Sequence, residues 1–421
     1  MTIQINRREF IKYSSAALVT LITADKVFAE EKQLPKDTLP VKLGIIGLGQ
    51  WGSETLAAAS RIPSIQITAI CDNYDPALAK AAKAVGLAAA YKDYRSLMDA
   101  KDVEAVIIAT PSHRHKEISL AAIDARKHIY CEAPLATTLE DARAIANAGE
   151  KSKQVFTAGL QGRSNLLYKH VLQFVKEGCL GKTIQVYAQH NKKTSWRRMA
   201  PSPTRENELN WRLASENSPG LIGEMGIHSI DLASMYLAAT PVAISGFGSV
   251  SCWDDGRRVP DTVQCVIEYP NNLKFVLSAT IASSFGGSYV QFQGSDSTLM
   301  MQEDQSWMMR EADSPLLGWE IYAHKEPVHG ETGICMIADA TKLLEQGKEP
   351  GKEGTLKPPK SALQCALEDF VHSIRKGSKP ACGLAEAYKS TIIALKSNEA
   401  ILTQGRIELR KEWFNLGDHN G

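Results

Sequence analysis

The first strongly patterned stretch of the chain is VKLGII at 41–46, a short apolar run of the kind that forms a strand buried on both faces. A helical pattern follows it, and then a second apolar run, IQITAICD, ending at Asp72. The alternation continues. DYRSLMDAKDVEAVIIATPS reads as helix then strand, HKEISLAAIDARKHIYCEAP repeats the pair, and EDARAIANAGEKSKQVFTAG repeats it again. Strands alternating with helices predict a doubly wound parallel sheet over 41–160. From 161 the runs lengthen and alternate apolar with polar: TIQVYAQH, VAISGFGSV, TVQCVIEY, KFVLSATIA and YVQFQGS, with PNN and DDG between some of them. That pattern predicts a mostly antiparallel sheet. Two helical segments, SALQCALEDFVHSIRKG and AEAYKSTIIALKSNEAIL, close an α+β domain spanning 161–421.

Composition narrows this picture little. Of 421 residues, 44% are hydrophobic and 23% charged, and the net charge of +1 gives no reason to expect nucleic acid or an acidic partner. The eight cysteines are scattered without a CxxC pair, so neither a zinc site nor a disulfide framework is expected. Ahead of the first strand, Arg7 and Arg8 precede a mildly apolar stretch and Val27-Phe28-Ala29. Residues 1–29 resemble a twin-arginine export signal, recognised by the twin-arginine translocation machinery, with 30–40 as a linker. The expectation is a periplasmic protein with no membrane anchor after cleavage. If a protein exported by that route uses a nicotinamide cofactor, it has no external pool to draw on and is expected to carry its own.

The turn after the first strand holds Gly47, Gly49 and Gly52, giving G-x-G-x-x-G in strand–turn–helix context. Gly47 permits the tight turn, Gly49 lets the backbone approach a pyrophosphate, and Gly52 lets the helix pack on the strand. Gln50 and Trp51 lie within the motif. Asp72 follows Gly52 by roughly 20 residues, the distance at which an acid accepts hydrogen bonds from a ribose diol and repels a 2′-phosphate. NAD is therefore expected in preference to NADP, on a Rossmann fold. Ligands of such sheets lie at the carboxyl ends of the strands, which makes Thr110, His113, His115, Glu132, Pro134 and Gln161 further candidates for the cofactor crevice.

The elements GIIGLGQWG, ATPSHRHKEISLAAIDARKHIYCEAPLA and GLIGEMGIHSIDLA, with the tail around DFVHSIRKGSKP, resemble the Gfo/Idh/MocA oxidoreductases. The resemblance implies NAD(P)-dependent action on sugars, cyclitols and their derivatives. It also implies an open sheet over the nicotinamide and a homo-oligomer, dimer or tetramer. The family usually reads E-K-P where this chain has Glu132-Ala133-Pro134, and its lysine helps to move the proton of the oxidised hydroxyl. The family's second element, an aspartate four residues before a histidine, corresponds to Glu224 and His228. On one helix these two would share a face with Asp231. A base is thus expected from the second domain. His228 is the first candidate, with its ordinary pKa near 6.5, and Glu224 is expected to orient it or to act beside it. A desolvated Lys193, from HNKKTSWRR, is a candidate to replace the missing lysine. Trp196, Arg197, Trp211 and Asp231 are candidate sugar-binding residues.

The expected activity is hydride transfer from a ring carbon of a pyranoside, possibly C3, to tightly bound NAD. Two alternatives stand beside it. One is a redox-neutral glycosidase that oxidises transiently, eliminates the aglycone and returns the hydride. The other is a non-catalytic sugar- or NAD-binding protein.

Overall fold

The computed structural model describes residues 39–416 apart from 322, 339–342, 344–346, 348–349 and 351–356. The expected export signal at 1–29 and all but the end of the linker lie outside the described residues. Among the described residues no helix is long and apolar enough to cross a membrane.

The first sheet has six parallel strands: β1 (Val41–Ile46), β2 (Ile65–Cys71), β3 (Ala89–Tyr91), β4 (Ala105–Ile108), β5 (His128–Cys131) and β6 (Phe156–Ala158). Their spatial order is β3-β2-β1-β4-β5-β6, as in dinucleotide-binding folds. β4 is buried along its whole length, which explains its unbroken AVII. Helices α1 (Gln50–Ala59), α2 (Asp75–Val85), α3 (Tyr94–Met98), α4 (His115–Asp124) and α5 (Leu139–Lys151) connect successive strands. The Thr138 side chain caps α5 by accepting from the amide of Asp141. The order of the strands reverses between β1 and β4, and the crevice opens there, at the carboxyl ends.

Helix α6 (Leu166–Lys176), capped by the Asn165 side chain, leads to a ten-stranded sheet. Its strands are β7 (Thr183–Asn191), β8 (Ala243–Ser249), β9 (Thr262–Glu268), β10 (Lys274–Thr280), β11 (Ser288–Gly294), β12 (Ser297–Met301), β13 (Ser306–Arg310), β14 (Lys325–Val328), β15 (Glu331–Cys335) and β16 (Arg406–Glu408). The order is β14-β15-β13-β12-β11-β7-β10-β9-β8-β16. All its neighbours are antiparallel except β7 and β10. The inward row of Val186, Ala188, Cys265, Ile267, Phe275, Leu277 and Phe292 is buried. It is covered by α7 (Ile227–Leu237) and α9 (Leu384–Thr403), and Tyr236 of α7 stacks on Phe292 with centroids 4.8 Å apart.

One element crosses the expected boundary at 160/161. Helix α8 (Ala362–Lys376) starts at a Ser361 cap and stops at Gly377, whose φ is 63°. Its apolar face, Leu367, Phe370 and Val371, packs into the core of the first sheet with Val41, Leu43, Ile45 and Tyr130. The chain therefore returns to its dinucleotide fold at its C-terminal end. All eight cysteines are free thiols, six of them buried.

Candidate active site

The glycine turn has the geometry that its sequence requires. Gly47 has φ 92°, and a Cβ there would lie 2.7 Å from the carbonyl oxygen of Ala109. A Cβ on Gly52 would lie 1.9 Å from the carbonyl oxygen of Gly47, so only glycine lets α1 come so close to the turn. Gly49 faces open space, with nothing within 4 Å of a Cβ. The amides of Leu48 and Tyr74 donate to the two Asp72 carboxylate oxygens, at 2.7 and 2.8 Å. Asp72 thus braces the turn, and each oxygen keeps a lone pair for a ribose hydroxyl. Gln50 and Trp51, at the start of α1, are exposed.

The strand ends hold three buried polar atoms without a hydrogen-bond partner among the described residues: Thr110 Oγ1, His113 Nδ1 and Glu132 Oε1. Buried polar groups are ordinarily bonded, so this set beside a glycine cradle fits a polar ligand such as a dinucleotide. Glu132 Oε2 accepts from Gln161 Nε2 at 3.2 Å. Gly159 leaves room for this carboxylate, since a Cβ there would meet Oε2 at 2.1 Å. Burial pushes the Glu132 carboxyl up to about 8, against the pull of the Trp51 indole and the Gln161 amide. The Ala133–Pro134 peptide is cis.

His115 is placed differently from the expectation. It is buried, with Nδ1 2.8 Å from the Pro134 carbonyl and Nε2 3.0 Å from that of Thr110. Both ring nitrogens face acceptors, so His115 ties together the loops leaving β4 and β5 and offers nothing to a ligand. The Pro134 carbonyl is engaged by the same contact. His113 stays partly accessible, its ring edge-on to Trp211 at 5.7 Å.

The facing wall comes from the second domain. Glu224 and His228 do not share a regular helix: Ile222–Gly226 is a π-turn, and α7 begins after it. The wider turn breaks the i, i+4 alignment. Glu224 is buried and fully engaged, accepting from Ser112 Oγ at 2.8 Å and Arg212 Nε at 2.9 Å. It therefore does not orient His228; it links the π-turn to the loop after β4. Arg212 lies over the Trp211 ring at 4.4 Å and the Trp196 ring at 5.9 Å, so a guanidinium occupies the indole faces expected to stack on sugar.

His228 is exposed to solvent, while the protein packed near its ring disfavours a charge there. Among the described residues it makes no hydrogen bond. Burial, with the neighbouring His190 second, pulls its pKa down to about 4, below the ordinary value expected from sequence. His190, on β7, accepts or donates at Nδ1 with Ser288 Oγ at 2.8 Å, while its Nε2 is buried without a partner. Sequence reading missed His190, Ser112 and Arg212. Ser112 lay between candidates already chosen, but nothing in the spacing pairs residue 190 with 228.

Three further expectations change. Lys193 is exposed, its amide held by Ser284 Oγ and its ammonium in solvent, so it is not a desolvated base. Arg197 is committed to Glu206 in its own loop and to the carbonyl of Asp255, in the loop between β8 and β9. Asp231 is buried in a bidentate pair with Arg163 at 2.9 Å and accepts from Ser390 Oγ at 2.8 Å, which makes it a structural anchor. The loop 192–210 has another role. Arg198 donates to Gln50 Oε1 at 2.9 Å, and Arg205 donates to Asn73 Oδ1 at 3.2 Å while covering the Tyr74 ring at 4.8 Å. The loop spans from the glycine turn to the end of β2.

Comparison with known proteins agrees with this geometry. Residues 41–160 match the Gfo/Idh/MocA oxidoreductase family's NAD-binding Rossmann fold, and residues 168–300 match the same family's C-terminal domain. Levoglucosan dehydrogenase of Pseudarthrobacter phenanthrenivorans is 27% identical over 282 residues, 60% of this chain and 70% of that protein. Inositol 2-dehydrogenase of Salmonella paratyphi B is 30% identical over 155 residues, 36% of this chain and 46% of that protein. A glycosyl hydrolase family 109 protein of Shewanella pealeana is 27% identical over 225 residues, 46% of this chain and 47% of that protein. The chain thus spans about half the length of two of these three relatives. A levoglucosan dehydrogenase structure in complex with NADH superimposes with a TM-score of 0.70 at 20% identity, covering 88% of this chain and 99% of that one, which speaks to the fold. The chain belongs to the Gfo/Idh/MocA oxidoreductase family, with an NAD-binding Rossmann domain followed by the family's C-terminal domain.

Proposed function

We propose that the protein oxidises a CH–OH group of a sugar or glycoside, that C3 of a pyranoside is the carbon attacked, and that the cofactor stays bound between turnovers. The observation that carries this reading is His228: an exposed imidazole without a hydrogen bond among the described residues, disfavoured as a cation by desolvation and by His190. It lies one turn beyond Glu224, whose carboxylate reaches the loop at the end of β4.

Bound NAD supplies the hydride acceptor. Gly49 and the start of α1 would receive its phosphates, Asp72 its ribose, and Thr110, His113 and Glu132 the groups near the strand ends. His228 takes the proton of the substrate hydroxyl through a ring nitrogen. A proton on His228 is disfavoured by its surroundings and by His190, so the exposed imidazole releases it to solvent water. Ser112 and Arg212 hold Glu224 at the junction of the two domains and keep that wall in place.

A second reading is favoured by Ala133. With no ionisable side chain at the family's lysine position, a redox-neutral route to glycoside cleavage fits as well as net oxidation, and one relative is named a glycosyl hydrolase. Loss of the base with retention of ligand binding is the third. Export through the twin-arginine pathway is proposed from Arg7-Arg8 and the residues after them. A dimer or tetramer is proposed because the outer face of the large sheet, with Tyr187, Val266 and Val276, is only half-covered in one chain.

A single-turnover titration separates these readings. The purified protein is mixed with a panel of glucosides and galactosides without added cofactor. The near-ultraviolet band of reduced nicotinamide and the released aglycone are followed together. The expected result is accumulation of reduced nicotinamide without aglycone. Aglycone release over many turnovers without net reduction establishes the glycosidase. Neither signal, with nucleotide bound, establishes a binding protein.

A further inference from the structure

The far end of the ten-stranded sheet carries a cluster that the catalytic reading does not use. β14 is its terminal strand, followed inward by β15 and β13. Register places Cys335 across from Trp307, and the Cys335 amide donates to the His324 carbonyl at 2.9 Å, so His324, Cys335 and Trp307 form a row over three strands. Glu326 lies two residues beyond His324, on the same face of the strand. Its partner across the ladder is Gly333. The missing side chain matters, because a Cβ on Gly333 would come within 3.2 Å of Trp307 Cδ1. The indole crosses the gap and its Nε1 donates to Glu326 Oε1.

One imidazole nitrogen, one carboxylate oxygen and one thiol sulfur thus lie within 4.8 Å of one another. His324 Nε2 and Glu326 Oε2 are 4.0 Å apart. Ligands of a tetrahedral zinc ion sit about 2.0–2.3 Å from the metal, so small rotations of exposed side chains bring the three to binding distance. The donor types fit a borderline-soft divalent cation better than calcium or magnesium, which require oxygen. Three protein ligands leave a fourth position for water. The Trp307 N–H orients the carboxylate as outer-shell donors do in metal sites. Burial and then the Glu326 carboxylate push the Cys335 thiol up to about 12. A divalent cation reverses that repulsion by bonding both groups, releasing the thiol proton to solvent.

We infer that His324, Glu326 and Cys335 form a binding site for a zinc-like divalent cation, which clips β14 to β15 at the exposed end of the sheet. Terminal strands offer unpaired backbone groups to other chains, and a clip that holds β14 to β15 restrains that edge. Three strands, β13, β12 and β11, separate the site from β7, and it has no part in hydride transfer.

The test uses the full chain, stripped with a chelator and titrated with cobalt(II) alone. One equivalent should bind with visible ligand-field bands and a near-ultraviolet sulfur-to-cobalt band. Cys335→Ser should abolish the sulfur band, while Cys252→Ser, at the exposed cysteine, should keep it. His324→Ala and Glu326→Gln should each weaken binding by about tenfold or more, and Trp307→Phe, which removes only the outer-shell donor, by about tenfold. Thermal scans without metal identify any variant that fails to fold. Absence of the sulfur band in the unaltered protein, or its survival in Cys335→Ser, overturns the proposal.

Discussion

His228 is exposed, yet the protein packed near its ring and the neighbouring His190 lower its proton affinity. With its pKa held down to about 4, it is neutral, and therefore a base, well below neutral pH. The acidic limb of kcat/KM in the free enzyme should accordingly fall below pH 6, and not near the ordinary histidine value of about 6.5. For stability the sign is the same. The unfolded imidazole takes up its proton first, so the contribution of neutral His228 is present above about pH 6.5 and is lost as pH falls through about 4. His228→Ala should lower kcat by about 10²–10⁴ while bound nucleotide is retained. A pH–rate profile with a limb at 6.5, or full activity in the variant, would remove His228 from the reaction. At this scale the glycines and Asp72 were legible in the sequence, because each answers a local backbone requirement within one turn or one strand end. Asp231 and Trp211 were not. Their partners, Arg163 and Arg212, decide what they do, and no periodicity tells a buried ion pair from a binding site.

Between elements, the loop 192–210 decides how the crevice closes. It leaves β7 and attaches at two points of the dinucleotide fold, Arg198 to Gln50 and Arg205 to Asn73 and Tyr74. Within the loop, Asn210 receives the Arg198 amide at 2.7 Å, and Arg197 pairs with Glu206. These contacts lay the loop beside the glycine turn, where it would restrain a bound nucleotide. Each attachment is an exposed, charge-assisted contact of about 1 kcal/mol. Arg205→Ala with Arg198→Ala should therefore speed nucleotide release by about tenfold or more, with little change in thermal stability. Stopped-flow displacement of bound NADH measures this, and an unchanged release rate would mean that the loop does not gate the site. Sequence marked this loop as basic and assigned its lysines to catalysis. It could not show that the arginines reach across to α1 and β2, since those contacts span more than 130 residues. The π-turn at Ile222–Gly226 was hidden for a related reason. A helical apolar pattern does not distinguish four from five residues between bonded groups, and that one residue turns Glu224 from His228 toward Ser112.

The whole molecule is more interlocked than a boundary near residue 160 implies. The strand alternation and the change of period at 161 were read correctly from sequence because each sheet is patterned by its own burial. Where α8 packs was not visible, since an amphipathic helix does not name its partner. In the structure Phe370 of α8 is fully buried against the first sheet, its ring 5.8 Å from that of Tyr130. A second core runs without a break from Ile46, Ile108 and Cys131 of the first sheet to Val186, Phe275 and Phe292 of the second. The Rossmann segment 41–160 should therefore not fold alone, because α8 and the inner face of the second domain complete its core. Phe370→Ala removes a large ring from a closed site and should cost about 3–5 kcal/mol. Since NAD binding and the second domain share the core, nucleotide affinity and the far-ultraviolet signal of the whole chain should be lost in one transition on heating. Two separated transitions, or a fragment 41–160 that folds and binds NAD unaided, would show that the halves are independent. A single transition means that α8, more than 200 residues from the glycine turn in sequence, is part of the dinucleotide-binding unit.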